Sequence, residues 1–285
     1  MRRAWKWGGI ALAAAVVVAL AAVAYIYVAS ELVIDRHYPL PASGIRAATG
    51  AAAVARGERL AFVYGCADCH AHDLHGAFIP DFGMRSRNLT MLATELSDAD
   101  FDRVIRHGLR PDGTSVAETM PSDAFQYMSD ADVSDIIAYI RSRPHAGAPV
   151  PAPSYDWEAR LKILGGQVKT DAAWFPVQKP ALDLGARYAR GRQIAMAACG
   201  ECHTTSLVGE VPPQPHHPPD LSIVAAYERA DFVKFMHTGK AAGNRELPMM
   251  SAVARVRISH LSDTDLNALY DYLVERGRKL TASGG

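Results

Sequence analysis

The stretch Cys66-Ala67-Asp68-Cys69-His70 has the residue types and the spacing needed to hold a haem covalently, and the pattern returns as Cys199-Gly200-Glu201-Cys202-His203. Two thiols about one helical turn apart can add across the two vinyl groups of a porphyrin, while the following histidine takes one axial position on the iron. These four cysteines are the only ones in the chain, so none remains for a disulfide. The sequence therefore predicts two covalently bound haem c groups, attached through Cys66, Cys69, His70, Cys199, Cys202 and His203.

Two other uses of paired cysteines fit this sequence less well. Four thiolates can bind one zinc ion, but the two pairs lie 133 residues apart, and zinc leaves both motif histidines without a role. A single Cys-x-x-Cys can be a thioredoxin-type redox pair, which is expected near a strand-helix-strand pattern. Neither motif lies near such a pattern, so haem attachment is the favoured interpretation.

Helices must position the two motifs. The pattern predicts one helix over residues 53–64 and another over 186–198, each leading into a motif. Each half then ends in an amphipathic helix, over residues 129–142 and 262–278, and both of these open with Ser-Asp, a favourable N-cap. Their apolar residues recur at helical spacing and need a partner surface, which we expect to be the first helix of the same half.

Similarity between the halves continues beyond the cysteines. Asn88-Leu89-Thr90 begins 18 residues after His70, and Asp220-Leu221-Ser222 begins 17 residues after His203. Matching intervals of this kind over a long stretch indicate a duplicated unit.

The intervals also predict the second axial ligand of each iron. Met120 lies 50 residues after His70, and Met250 lies 47 residues after His203, each in a loop before the closing helix. A single methionine is more often a core filler, but the matching positions favour thioether ligands. Met249 competes with Met250, which we prefer because Met250-Ser251 stands where Met120-Pro121 does. The predicted metal ligands are His70, Met120, His203 and Met250.

The N-terminal residues contain a candidate membrane anchor. The uncharged apolar run from Gly8 to Val28 reaches the length of about 20 residues that crosses a bilayer. Arg2, Arg3 and Lys6 precede it, so the positive-inside rule places the haem motifs on the periplasmic side of a bacterial inner membrane. A cleaved signal peptide is the alternative, since Ala19-Leu20-Ala21 resembles a cleavage site. We favour an anchor because the run stays apolar beyond that site.

Length and composition are those of a chain with about two folded domains. The 285 residues suggest about two domains, and 49% hydrophobic residues can fill two cores. Thirty basic and thirty acidic residues give a net charge of zero, so we expect no nucleic-acid partner.

The predicted divisions are an anchor or signal peptide (1–34), a linker (35–52), a first haem domain (53–145), a proline-rich connector (146–183) and a second haem domain (184–285). The later part of the connector is apolar enough to pack against one domain.

Together these residues resemble the class I cytochrome c fold, over about 53–143 and 184–280. Beyond the cysteine motifs, the resemblance includes Asn88-Leu89-Thr90, Arg106-His107-Gly108, Met120-Pro121 and their counterparts in the second half. The doubled arrangement is similar to membrane-anchored dihaem cytochromes c, among them cytochrome c subunits of periplasmic dehydrogenases, which are often trihaem. It implies an all-α chain of two tandem cytochrome c domains behind a transmembrane helix. It also implies that a proline carbonyl, from Pro80 or Pro213, accepts the proton of each proximal imidazole.

The resemblance implies an electron-transfer protein rather than an enzyme. Such a dihaem c-type cytochrome relays single electrons in the periplasm, between a dehydrogenase or quinol-oxidising partner and a downstream cytochrome or terminal oxidase. The alternative is a dihaem cytochrome c peroxidase-like enzyme, which needs one iron open to peroxide. A methionine in the same position of both halves argues against that enzyme. A redox or gas sensor is less favoured, because no signalling domain remains once both haem domains are assigned.

Overall fold

The computed structural model describes residues 2–79, 84–116, 120–151, 154–173, 175, 179–210 and 217–283. The helices of the first half are α1 (Arg2–Ile34), α2 (Ala51–Val63), α3 (Cys66–His70), α4 (Leu89–Glu95), α5 (Asp98–His107), α6 (Ser122–Phe125) and α7 (Asp130–Ser142). The connector contains α8 (Trp157–Leu164), and the second half contains α9 (Ala189–Ile194), α10 (Gly200–His203), α11 (Arg229–Thr238), α12 (Met250–Val256) and α13 (Asp263–Ser283).

Strands are limited to two short antiparallel ribbons in the part of the chain that the structure describes. The first pairs β1 (Phe78–Ile79) with β2 (Met84–Arg85), and the second pairs β3 (Lys240–Ala241) with β4 (Arg245–Glu246). In the first ribbon Phe78 lies opposite Arg85, and in the second Lys240 lies opposite Glu246. The all-α class predicted from the sequence is confirmed.

Each half is built on a close crossing of its first and last helices. α2 packs against α7, and α9 packs against α13, as the amphipathic patterns predict. A Cβ atom at Gly57 would collide with the backbone carbonyl of Asp135, and one at Gly191 would collide with that of Ala268. Glycine inside a helix costs about 1 kcal/mol relative to alanine, so the close approach of the two backbones is what requires it.

The closing helices begin where their N-caps predict. The Ser129 side chain accepts a hydrogen bond from the backbone N–H of Asp132 at 3.1 Å, and Ser262 does the same for Asp265 at 3.1 Å. Burying one large apolar side chain stabilises a fold by about 1.5–3 kcal/mol, so these faces supply much of each core. The buried apolar side chains are Val133, Ile136, Ile137, Tyr139 and Ile140 on α7, and Leu266, Leu269, Tyr272, Leu273 and Val274 on α13.

The segment before the second motif departs from the single helix predicted over 186–198. It begins with a 3-10 turn at Ala186–Tyr188, continues as α9, and then widens into a π-helical turn at Ala195–Cys199. Such turns are rare and occur often at functional sites. This one carries three buried residues and contacts α6 of the first half, so packing between the halves overrides the regular helix.

The linker and the connector both lie against the domains. In the linker the Tyr38 N–H donates to the Gly113 carbonyl at 2.9 Å, and Ile45 is buried in the core. In the connector α8 packs against α1, and the Ala172 N–H donates to Ser115 of the first half at 2.9 Å. The connector carbonyl of Ala181 accepts two hydrogen bonds from Arg192 of the second half, at 3.0 and 2.9 Å. The apolar later part of the connector, around Ala172 and Phe175, thus contacts the first half, and the end of the connector at Ala181 contacts the second half.

A buried network of polar groups joins the two halves. Arg190 on α9 donates to Asp132 on α7 at 2.6 Å and makes two hydrogen bonds, at 2.8 and 3.0 Å, to Asp265 on α13. Asp132 also accepts from the Tyr64 hydroxyl at 2.9 Å and from the Gln193 amide at 2.9 Å. Burial and the Asp132 carboxylate raise the pKa of Tyr64, which keeps this phenol protonated as a donor. One carboxylate therefore receives donors from both halves.

Helix α1 contains one stretch, Trp5–Ile34, that is long and apolar enough to cross a membrane. Its 30 residues include a window of mean hydropathy 2.6, and none of that window is buried against the rest of the chain. Of the helices that the structure describes, it alone passes this test of length and composition.

Substituting Gly57 by alanine should destabilise the first half. The added methyl group forces α2 away from α7, and overpacking of this kind costs about 1–3 kcal/mol. Gly44→Ala is the matched control, because a Cβ atom there has no neighbour within 4 Å and its free energy of unfolding should change by less than about 0.5 kcal/mol. Urea denaturation followed by circular dichroism measures both. Equal stability of the two variants would contradict the proposed role of the crossing.

Candidate functional site

The first cysteine motif forms α3, and the second begins at Cys199, the last residue of the π-helical turn, and continues as α10. The same backbone turn follows each motif. Ala71 and Thr204, which directly follow the motif histidines, both have positive φ angles, of 64° and 62°. Leu74 and Leu207, three residues further on, repeat this with 63° and 65°, and both are fully buried. Non-glycine residues in this region cost on the order of 1–3 kcal/mol each and cluster at functional sites. The same strained loop therefore follows both motifs.

The four motif cysteines are free thiols with partial exposure. None of them forms a disulfide, and Cys202 is the most exposed. Burial and the neighbouring Cys69 raise the pKa of the Cys66 thiol to about 12, and burial and Cys202 raise that of Cys199 to about 12. The described residues, which include all four cysteines, contain no group of three or more His, Cys, Asp or Glu side chains able to hold a metal ion. The four cysteines therefore do not form a zinc site with one another or with the other described residues.

The two motif histidines are oriented as metal ligands. Nδ1 of His70 lies 2.8 Å from the carbonyl oxygen of Arg87, and Nδ1 of His203 lies 2.8 Å from that of Pro219. A carbonyl oxygen only accepts, so Nδ1 carries the proton and Nε2 keeps its lone pair for a metal. Burial lowers the pKa of both imidazoles, which favours the neutral ring that binds iron. Both rings therefore fit the proximal position of a haem.

The acceptor carbonyls belong to residues that the sequence did not identify. Pro80 and Pro213, predicted for this contact, lie outside the described residues. The acceptors found are Arg87 and Pro219, which follow their histidines by 17 and 16 residues. The similar distance in sequence from each histidine to its acceptor was visible beforehand. Every residue has a backbone carbonyl, however, so no residue type identifies which carbonyl accepts the hydrogen bond.

The repeated Asn88 and Asp220 positions hold these carbonyls in place. Asn88 directly follows Arg87, and its side chain caps α4 by accepting from the N–H groups of Thr90 and Met91 at 3.0 and 3.2 Å. Asp220 directly follows Pro219 and accepts from the Ser222 N–H at 2.7 Å, capping the 3-10 helix Leu221–Ala226. The repeated polar residue is thus a helix cap that fixes the loop facing each histidine.

In the first half a serine also links this loop to the motif. The Ser86 hydroxyl donates to the carbonyl oxygen of Cys69 at 2.6 Å and accepts from the Ala77 N–H at 2.9 Å. Ser86 directly precedes Arg87, so its two hydrogen bonds hold the acceptor carbonyl against α3. The corresponding residue of the second half is Pro218, whose carbonyl accepts from the Glu210 N–H at 3.1 Å.

Met120 lies in a loop just before α6, whereas Met250, also expected in a loop, is the first residue of α12. Met120 and Met250 are both half-buried and contact the hydrophobic core, whereas Met249 is 70% exposed. A buried serine in each half gives a second way to align the methionines. Ser122 and Ser251 are both fully buried, and Ser122 follows Met120 by two residues, whereas Ser251 follows Met249 by two. Core contact favours Met250 and the serine spacing favours Met249, so substitution of each methionine is needed to separate them.

The two motifs lie close together although they are far apart in the chain. Arg257, at the end of α12, donates to the Asp68 carboxylate of the first motif at 2.5 Å. The same guanidinium donates to the Glu201 carboxylate of the second motif at 2.6 Å. A single side chain therefore contacts both predicted haem-attachment helices.

Comparison with known proteins identifies two matching stretches. The family model described as Cytochrome c matches residues 54–144 and 188–276. A fructose dehydrogenase cytochrome subunit of Gluconobacter japonicus is 26% identical over 272 residues, which cover 82% of this chain and 54% of that protein. The cytochrome c subunit of a quinone-dependent alcohol dehydrogenase of Gluconobacter oxydans is 26% identical over 282 residues, covering 82% and 58%.

A third relative is a diheme cytochrome c-type protein of Cereibacter sphaeroides, 27% identical over 175 residues that cover 52% of this chain and 56% of that protein. The chain spans about half the length of the curated relatives it matches.

Substituting Ser86 by alanine should weaken the first site and leave the second intact. The change removes two hydrogen bonds, each of which contributes about 0.5–1.5 kcal/mol, so the free energy of unfolding should fall by about 1–3 kcal/mol. Ser259→Ala is the control, because the Ser259 hydroxyl only donates to the Arg255 carbonyl on an exposed helix turn. Denaturation followed by visible absorption measures both, and equal stability would show that Ser86 does not support the loop.

Proposed function

The chain belongs to the cytochrome c family, and we propose that it carries two covalently bound haem c groups and relays single electrons in the bacterial periplasm. The observation that carries this proposal is the doubled site: each half places two free thiols beside a histidine whose Nε2 is available to iron. When bound, each haem iron supplies one-electron chemistry by changing between its ferrous and ferric states.

Each site residue has a proposed role. The thiols add across the porphyrin vinyl groups, and the histidines are the proximal ligands of the two irons. Met120 and Met250 are the proposed second axial ligands. If a histidine and a methionine hold each iron, a substrate would have no free position on the iron, and the group would supply the chemistry of an electron carrier rather than of an enzyme. The proposed attachment residues are Cys66, Cys69, His70, Cys199, Cys202 and His203.

The proposed electron donor is a periplasmic dehydrogenase or a quinol-oxidising complex, and the acceptor is a downstream cytochrome or a terminal oxidase. The names of the relatives support a dehydrogenase, since they are cytochrome subunits of a fructose dehydrogenase and an alcohol dehydrogenase. The contact of both motifs with Arg257 supports a relay, because it brings the two haem sites together.

We propose that α1 stays attached as a single transmembrane anchor in the inner membrane, with the haem domains in the periplasm. Arg160 on α8 donates to Ser30 at 2.8 Å and to Glu31 at 2.5 Å, and its guanidinium lies 4.6 Å from the centre of the Tyr27 ring. Ser30 is fully buried by these contacts. These contacts lie after Ala21, so they hold the end of α1 against α8 whether or not the chain is cleaved there. The support for an anchor is the length of the apolar stretch Trp5–Ile34, which continues well beyond Ala21.

Pyridine haemochrome analysis should find two thioether-linked haems per chain in protein matured in a bacterial periplasm. Replacing Cys66 and Cys69 together by alanine should leave one haem, because the second motif is intact. The matched control, replacement of Cys199 and Cys202, should leave the other. Fewer than two haems on the unaltered chain would refute the proposal.

Replacing a ligand methionine by alanine should lower the potential of one haem. Loss of the thioether removes a ligand that favours ferrous iron, so Met120→Ala should lower the potential of the first haem by on the order of 100 mV, within the roughly 0.8 V over which axial ligands act. Met250→Ala should do the same to the second haem, and Met249→Ala should change neither. A redox titration in which Met249→Ala shifts the second potential instead would transfer the ligand to Met249.

The carrier function is tested by mixing the fully reduced protein with two oxidants. A one-electron acceptor such as a soluble cytochrome should reoxidise both haems, whereas hydrogen peroxide should give no catalytic turnover, because a histidine and a methionine would hold each iron. Peroxide turnover with a high-spin, five-coordinate haem would overturn the carrier function and favour the peroxidase alternative.

A further inference from the structure

One arginine, Arg257, contacts the middle residue of both cysteine motifs. Nε of Arg257 lies 2.5 Å from a carboxylate oxygen of Asp68, which stands between Cys66 and Cys69. Nη1 of the same guanidinium lies 2.6 Å from a carboxylate oxygen of Glu201, at the same position of the second motif. These partners are 189 and 56 residues away in sequence, so the contact is made by the tertiary fold.

The backbone is shaped to receive this guanidinium. Gly65 directly precedes the first motif cysteine and has a φ angle of 71°. A Cβ atom there would lie only 2.6 Å from Cζ of Arg257, so the absence of a side chain lets the guanidinium lie on the Gly65 backbone. The Arg257 side chain is 17% exposed, against 30% for Asp68 and 37% for Glu201.

The charge of Arg257 is retained in this setting. Burial disfavours the cation, but the Glu201 and Asp68 carboxylates outweigh burial and raise the pKa of Arg257. The surrounding surface belongs to the contact between the halves, since the His260 ring stacks on Phe62 of α2 with 4.6 Å between ring centres. Arg257 therefore carries a permanent positive charge, held between two carboxylates, at the junction of the two halves.

We propose that Arg257 is a positioning residue shared by the two haem sites: it holds α3 and α10 at a fixed separation, and its positive charge raises the reduction potentials of both haems. The inference rests on the proposed function, since it requires a haem on each motif. A positive charge close to an iron disfavours the ferric state, which carries the extra positive charge. Asp68 and Glu201 have the opposite sign, and each lies within a single motif.

The geometry requires arginine rather than any cation. A guanidinium presents several N–H donors in a rigid plane, so its two sides reach two carboxylates at once. A lysine ammonium carries the same charge on a compact group that does not have this fork. Charge and positioning can therefore be separated by substitution.

The charge is tested with Arg257→Gln in the full-length, haem-loaded protein in detergent. Potentiometric titration should show the reduction equilibrium constants of both haems lowered by about threefold to tenfold, or about 30–60 mV at 59 mV per tenfold change. Asp68→Asn should raise mainly the first potential, and Glu201→Gln mainly the second. The Met120→Ala variant identifies the first haem by its displaced potential.

Arg255→Gln is the matched control. Arg255 lies two residues away, is 44% exposed and pairs with Glu246 on the surface, so both potentials should stay unchanged. If Arg257→Gln shifts neither potential, or shifts only one, the shared role is refuted. If Arg257→Gln does not accumulate with haem, the Asp68→Asn and Glu201→Gln variants test the charge instead. Each should raise the reduction potential of its own haem, and unchanged potentials in both variants would refute the electrostatic role.

Positioning is tested by Soret circular dichroism, which reports the relative orientation of two neighbouring haems. Arg257→Lys keeps the charge and should preserve both potentials, yet it should change the coupled Soret signal because the bridge is lost. A lysine variant identical to the unaltered protein in both measurements would overturn the positioning role. The number of haems on each variant is measured first. Fewer than two haems on the unaltered chain would refute the proposed function. Two haems on Arg257→Gln with unchanged reduction potentials would refute only this inference.

Discussion

The hydrogen bond from each motif histidine to a loop carbonyl is the constraint on which both sites depend. It has the same length, 2.8 Å, in the two halves and leaves Nε2 as the nitrogen that can bind iron. An imidazole without this partner could rotate or protonate, and either change would cost the iron its ligand. The strained loops, the capped helices and the serine near the first motif all act by holding these carbonyls in place.

The two halves are joined by charges as well as by apolar packing. Asp132 collects donors from both halves at one end of the interface, and Arg257 bridges the two motifs at another. Breaking a buried charge pair is costly because the remaining charge loses its partner, so such contacts favour one arrangement of the halves over others. For a relay this matters, since a fixed arrangement also fixes the separation of the two proposed haems.

The duplication has left the halves alike in their chemistry and different in their supports. Both have a glycine crossing, a histidine with a carbonyl partner and a polar cap after that partner. The first half adds the Ser86 link, whereas the second has a proline there and a π-helical turn before its motif. These differences place the two proposed haem sites in different surroundings.

Much of the fold, and the proposed site residues, follow from the sequence alone. Local patterns determine the closing helices, whose N-caps Ser129 and Ser262 lie where the Ser-Asp pairs predict, and the doubled Cys-x-x-Cys-His pattern predicts the attachment chemistry. Helical periodicity and motif spacing are properties of neighbouring residues, so a sequence displays them directly.

Only the tertiary structure decided which groups meet across long distances in the chain. The carbonyls of Arg87 and Pro219, the contacts of the connector and the Arg257 bridge are absent from any local pattern. A backbone carbonyl looks the same for every residue type, and an arginine 189 residues from its partner has no spacing that reveals the contact. Such contacts exist because packing of the two halves brings the groups together, and that packing is a property of the whole chain.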